Sequence, residues 1–517
     1  MERDVRNNKQ GDEGMRNRLN TFIILIVVAV LSILLQTFMG YTIPGLISII
    51  FSISALFIAI VIFLENRQPS TTITWLIVLA VFPLVGFIFY ILFGQSYRKK
   101  RMFEQKAVQD EQAFLEIEGS MPLNEQMLAK MGDHQQLLFR LAHRLGKSPI
   151  SFHTDTEVLT NGEKTFAKIK ESLLKAEQYI HLEYYIVRDD QIGQEIKEIL
   201  MKKAGEGVEV RFLYDFVGSW KLSRKYIEEL RSSGVQMVPF LPVRIPLFNN
   251  KINYRNHRKI IVIDGKVGFI GGLNIGDEYL GKDKYFGFWR DTHLWVNGEA
   301  VRSLQLIFLQ DWFYMTGEKL LTDKYIAVET IDKPGLGGVQ MVASGPDHEW
   351  EVIKNLFFSM IISAKRTIWI ASPYFIPDED ILSALKVASL SGIDVRLIVP
   401  SRPDKRIVFY ASRSYFPELL EAGIRIYAYK KGFMHSKIII VDHELASIGT
   451  SNMDMRSFHL NFEVNAFLYR TKSTARLVSD YVQDLKESTE IQLEEFNRRS
   501  MKERVVESMS RLLSPLL

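Results

Sequence analysis

His257 and Lys259 stand two positions apart in "NHRKIIVID", followed by Asp264, and the same types recur as His435, Lys437 and Asp442 in "MHSKIIIVD". In an extended strand, residues i and i+2 share a face, so each histidine and its lysine point the same way. Asp264 and Asp442 fall at odd offsets and turn away, which suits them to fixing the strand end. Gly-rich turns follow, "GFIGGLN" ending at Asn274 and "ASIGTSN" ending at Asn452. Turns of this kind offer free amides to phosphate oxygens. A carboxylate comes later in each copy: Asp291 in "FWRD" after His257, and Glu463 in "NFEV" after His435. Paired with the histidine that precedes it, such a carboxylate accepts the Nδ1–H and leaves Nε2 exposed.

Lysine is a poor metal ligand and a good counter-charge for phosphate. The set therefore points to metal-free phosphoryl chemistry that needs no cofactor. One imidazole attacks phosphorus, and the other protonates the leaving alcohol and then deprotonates the incoming one. The lysines and asparagines stabilise the charge on the equatorial oxygens. A single H-x-K on a strand carries little weight. Two copies with the same downstream features carry much more.

The elements that must position these residues also come twice. "QYIHLEYYIV", a helical stretch and "VEVRFLYD" match "RTIWIASPYFIP", "ILSALKVASLSG" and "IDVRLIVP". Strand–helix–strand alternation predicts βαβ units and a largely parallel sheet in each half. The chain thus reads as an internal duplication with a period of about 180 residues. The halves, 151–335 and 336–490, form one bilobed α/β unit with the site at their seam.

Composition sets the rest. The 517 residues carry 64 Lys and Arg against 60 Asp and Glu, a net charge of +4 that argues against a nucleic-acid partner. Cysteine is absent, which excludes thiol nucleophiles and Cys-based metal sites. A basic tail, residues 1–20, precedes a region at 21–97 with apolar runs at 21–39, 46–64 and 72–93. These are long enough for membrane helices. Basic flanks on both sides, ending in Arg98–Arg101, favour a cytoplasmic catalytic part. Residues 98–150 read as a connector. The segment 491–517 spaces Met501, Val505, Met509, Leu512 and Leu516 helically, for a membrane surface or for packing on the catalytic body.

The twin H-x-K-x-x-x-x-D motifs, each with a downstream Asn, resemble the phospholipase D superfamily. With the stretch 63–94 and "RNHRKIIVIDGKVGFIGGLNIGDEY", the chain is similar to bacterial cardiolipin synthases from about residue 45 to 490. The run at 21–39 lies beyond the usual membrane hairpin. The resemblance implies two phospholipase D-like halves after a transmembrane region, and a multi-pass place in the cell membrane. It implies that His257, Lys259, Asp264, His435, Lys437 and Asp442 form the catalytic motif set, with His257 the nucleophile. Asn274 and Asn452 would bind phosphate. The implied reaction joins two phosphatidylglycerol molecules into cardiolipin and glycerol through a phosphohistidine. Hydrolysis to phosphatidic acid is the alternative.

Overall fold

The structure, a computed structural model, describes residues 102–112, 125–243, 250–327 and 337–517, the helix Pro69–Val81, and isolated positions between 53 and 90. The tail at 1–20 and the apolar run at 21–39 lie outside the described residues, and the runs at 46–64 and 72–93 are described only in part. Pro69–Val81 spans 13 residues, and no helix among the described residues is long and apolar enough to cross a membrane. The chain separates into two compact units, Met1–Ser96 and Tyr97–Leu517.

In the second unit, the first half contributes β1 (Thr154–Thr160), β2 (Tyr179–Tyr184), β3 (Glu209–Asp215), β4 (Gln236–Phe240), β5 (Ile260–Ile263), β6 (Val267–Gly271), β7 (Phe288–Arg290) and β8 (Thr292–Gly298). Seven of these form one sheet in the order β1-β8-β6-β5-β2-β3-β4. The second half contributes β9 (Gly338–Ser344), β10 (Thr367–Ala371), β11 (Phe375–Ile376), β12 (Asp394–Pro400), β13 (Arg425–Tyr429), β14 (Gly432–Met434), β15 (Ile438–Val441), β16 (Leu445–Gly449), β17 (Met453–Asp454), β18 (Glu463–Tyr469) and β19 (Ser488–Glu490). Its eight-stranded sheet runs β19-β13-β12-β10-β15-β16-β18-β9.

The expectation of largely parallel sheets needs correction. Within the two large sheets, the described parallel pairings are β2-β3-β4 and β10-β12-β13; β5, β6 and β8, like β15, β16 and β18, pair antiparallel. The cause is the turn after each motif strand. Asp264 and Gly265, and likewise Asp442 and His443, have positive φ. Two such residues make a tight hairpin turn, which joins neighbouring strands antiparallel.

Each motif strand is an all-apolar run buried on both faces. Ile260 and Val262 pack into the cluster shared with Ile438 and Ile440 of the second half. Ile261 and Ile263 pack under the first half's helices, and Ile439 and Val441 under those of the second. Burial of each such side chain contributes roughly 1.5–3 kcal/mol. These strands are therefore stiff bases for whatever precedes them.

Candidate active site

His257 and Lys259 lie in the extended run-up to β5, and His435 and Lys437 in the run-up to β15, rather than inside the strands. Both run-ups pair across the seam. His257 N–H donates to the Phe462 carbonyl at 2.9 Å, and His435 N–H donates to the Arg290 carbonyl at 2.8 Å. The short strand β14 lies parallel to β7 of the other half. Each motif is thus anchored beside the residue that precedes the other half's carboxylate.

This crossing corrects the expected pairing of each histidine with the carboxylate that follows it. His257 Nδ1 lies 2.9 and 3.0 Å from the Glu463 oxygens, and His435 Nδ1 lies 2.6 Å from Asp291 Oδ2. Both carboxylates are fully buried and held by further donors. Glu463 accepts from the Thr450 hydroxyl and the Asn461 amide. Asp291 accepts from the Thr292 backbone N–H and the Trp289 indole. A carboxylate at Nδ1 fixes the tautomer and leaves Nε2 as the reactive atom.

The lysines sit within the same cluster. Lys259 Nζ donates to the His257 carbonyl and Lys437 Nζ to the His435 carbonyl, each at 2.7 Å. Lys437 Nζ also lies 3.1 Å from His435 Nδ1. Burial pulls Lys259 down to about 7 and Lys437 to about 8. Burial, reinforced by Lys259, holds His257 well below the usual imidazole range, and burial with Lys437 brings His435 to about 4. Both shifts favour the neutral imidazole. An anion placed between the lysines would oppose these shifts and favour protonation of an imidazole.

The asparagines differ. Asn274 Oδ1 accepts from the Ile186 N–H, and its amide donates to the Tyr279 hydroxyl, so it ties three segments together. Asn452 is buried, with its Oδ1 unpaired among the described residues.

The side chains of Asp264 and Asp442 accept from backbone amides and are not hydrogen-bonded to the motif histidines or lysines. Asp264 accepts the N–H groups of Glu177, Gln178 and Tyr179. Asp442 does the same for Lys365, Arg366 and Thr367. Strand alternation turns both away from the histidines, as the odd offset requires. The motif aspartate is the clasp that fixes the start of β2 or β10 to the hairpin. Asp264→Asn keeps a residue that tolerates positive φ and removes the charge. It is expected to lower stability by about 1–3 kcal/mol while turnover per folded molecule stays within about twofold. Denaturant melts beside active-site-normalised rates check this.

Sequence reasoning missed Tyr185 and Tyr374. The Tyr185 ring stands edge-on to His257 at 4.9 Å, with Lys259 Nζ 5.3 Å from its centroid. Tyr374 donates its hydroxyl to Asp404 and has Lys405 Nζ 5.7 Å from its ring. They follow β2 and β10 at nearly matching places, in "EYYIV" and "SPYFI". The duplication already used to match the strands carries that signal.

Residues 169–312 and 357–486 match the domain family described as cardiolipin synthase, PLD-like domain, and residues 47–95 match the family described as phospholipase D-nuclease N-terminal. The chain is 66% identical over 503 residues to a cardiolipin synthase of Halalkalibacterium halodurans, covering 97% of this chain and 100% of that one. It is 65% identical over 467 residues to cardiolipin synthase 2 of Bacillus anthracis, covering 90% and 91%. With cardiolipin synthase 1 of the same organism the identity is 41% over 508 residues, covering 96% and 99%. A crystal structure of a phosphatidylserine synthase from Haemophilus influenzae shares the fold, with a TM-score of 0.56, 13% identity, and coverage of 75% of this chain and 100% of that one.

Proposed function

Because this chain belongs to the bacterial cardiolipin synthases of the phospholipase D superfamily, and is a phosphatidyltransferase, we propose that its crossed histidine–carboxylate pairs divide one transfer into two displacements. The observation that carries this reading is the pair of buried imidazoles, each held at Nδ1 by the opposite half and each beside a desolvated lysine.

His257 Nε2 attacks the phosphorus of one phosphatidylglycerol. The bond from phosphorus to the glycerol headgroup oxygen breaks, and His435 gives its proton to that oxygen. Glycerol leaves, and the phosphatidyl group stays on His257 as a phosphoramidate. The headgroup hydroxyl of a second phosphatidylglycerol then gives its proton to His435 and attacks phosphorus. The phosphorus–nitrogen bond breaks, cardiolipin forms, and His435 is protonated again for the next cycle. Lys259 and Lys437 balance the equatorial oxygens throughout. In this reading Asn452 and Asn274 complete the phosphate cradle. The roles need no metal, because lysine and carboxylate-bound imidazole carry the charge.

One phosphodiester replaces another, so the free-energy change is small and the reaction runs both ways. Phosphatidylglycerol vesicles with labelled glycerol test this. Label should enter the lipid pool before net conversion, and excess glycerol should convert cardiolipin back to phosphatidylglycerol. Steady release of phosphatidic acid with no label uptake would replace transfer by hydrolysis.

The apolar runs in 21–97 serve as the membrane anchor in this reading. The match over 47–95 covers most of two of them and supports an anchor there. The basic residues on both flanks favour a catalytic part on the cytoplasmic face.

A further inference from the structure

The helix Met501–Arg511 is mounted with its polar face inward. Glu507 is 2% exposed and receives Arg413 Nε at 3.0 Å and Arg499 Nε at 2.7 Å. Ser510 is buried beside it, and Arg511 reaches Glu418 at 2.7 Å while lying over the Tyr415 ring. Ser500 and Glu503 close the N-terminus with a capping box. The opposite face carries Met501, Val505, Met509 and Leu512 at i, i+4, i+8 and i+11, exposed by 73%, 49%, 64% and 74%. A helix that only needed to pack would bury this stripe and expose Glu507. Here charge pairs hold the helix, and the apolar stripe is left for something else.

The helix is also close to the candidate site. It packs on the helix Arg406–Arg413, which follows Asp404, the acceptor of the Tyr374 hydroxyl, and Lys405 at the Tyr374 ring. The chain end beyond it is held by Arg456, whose backbone N–H donates to the Leu517 carbonyl and whose guanidinium reaches the Leu516 and Asn253 carbonyls. On the first half, Trp220 is 73% exposed beside Ser219, which donates to the Tyr185 carbonyl.

We propose that the helix Met501–Arg511 is an interfacial element: fixed to the catalytic body by its charged face, it lays its apolar stripe into the surface of an anionic phospholipid bilayer and holds the histidine site at headgroup level. Charge complementarity selects this occupant. Lys502 and Arg504 border the stripe, and Arg498 precedes the helix. Such a border attracts anionic headgroups. In a symmetric pair the same border would face itself and repel, and a stripe of four side chains is too small for a stable dimer. The inference goes beyond the transfer reading and does not depend on which lipid is the acceptor.

The absence of cysteine makes a direct test simple. Full-length Val505→Cys, labelled with an environment-sensitive fluorophore, is reconstituted into vesicles of phosphatidylglycerol and phosphatidylcholine. Its emission should shift to the blue and be quenched at least twofold by spin-labelled lipid, while a label at the exposed Lys164→Cys should respond to neither. The triple variant M501E/V505E/M509E should lose at least tenfold in turnover on vesicles. On short-chain phosphatidylglycerol dispersed as monomers it should stay within twofold of the parent. A Val505 label that remains in water, or one that is cross-linked to a second copy instead of quenched by lipid, overturns the proposal. So does an equal loss on both substrates, which would mean that the stripe merely supports the fold. Lipid quenching without any cardiolipin formation by the parent would sink the transfer reading and leave the docking element standing.

Discussion

Turnover should vanish, by roughly 10⁵-fold or more, when either His257 or His435 is replaced by alanine, and the two losses should differ in kind. A phosphatidyl ester of nitrophenol separates them, because its leaving group departs without a proton. With that substrate His435→Ala should still release one burst of nitrophenol and accumulate an acid-labile phosphatidyl adduct on His257, visible in the intact protein mass. His257→Ala should give neither burst nor adduct. The reverse pattern would exchange the two roles. Absence of an adduct in both variants, with the folds intact, would argue for direct displacement by the second lipid.

Glu463→Gln and Asp291→Asn are expected to cost about 10⁴-fold each, as loss of an orienting carboxylate does when the imidazole takes the wrong tautomer. The crossed geometry makes the assignment specific. Glu463→Gln should copy the His257 lesion and lose the burst, although Glu463 lies 206 positions from His257 in the other half. Asp291→Asn should keep the burst and lose the second step, as His435→Ala does. Burial raises the Glu463 carboxyl to about 7 against the pull of Lys259. Only the ionised form accepts the Nδ1–H, so kcat/KM should rise with pH through about 7, and Glu463→Gln should flatten that limb. Stability runs the other way. The folded carboxyl keeps its proton up to about 7, whereas the unfolded one releases it near 4.5. The folded state therefore binds more protons in that window, and stability falls as pH rises across it. A retained acid limb in the glutamine variant would move the titration to another group.

Local periodicity accounts for what could be read directly from the chain. The i, i+2 rule places His257 with Lys259 and turns Asp264 aside, and the structure puts Asp264 on the backbone of β2. The repeat of the H-x-K run-up, its hairpin and its trailing carboxylate makes the two halves legible. What was not legible depends on contacts between distant segments. Nothing near Glu463 in the sequence says that its partner is His257 rather than His435. That choice is made by the pairing of the His257 N–H with Phe462 across the seam. The sheet direction is not legible locally because β5 follows β4 through a long connection, while the turn at Asp264 and Gly265 sends β6 straight back. Tyr185 and Tyr374 carry no local signal, because a tyrosine after an apolar strand reads as core until its ring is found beside an imidazole or a lysine.

The exchange of carboxylates across the seam means that neither half alone carries a complete histidine–carboxylate pair. His257 is synthesised 206 positions before Glu463, the carboxylate at its Nδ1. Until Glu463 has been made and β18 has docked, the His257 imidazole has no acceptor at Nδ1. On the proposed roles, a chain that ends before β18 lacks the group that orients the nucleophile, and a fragment cut between the halves should be inactive.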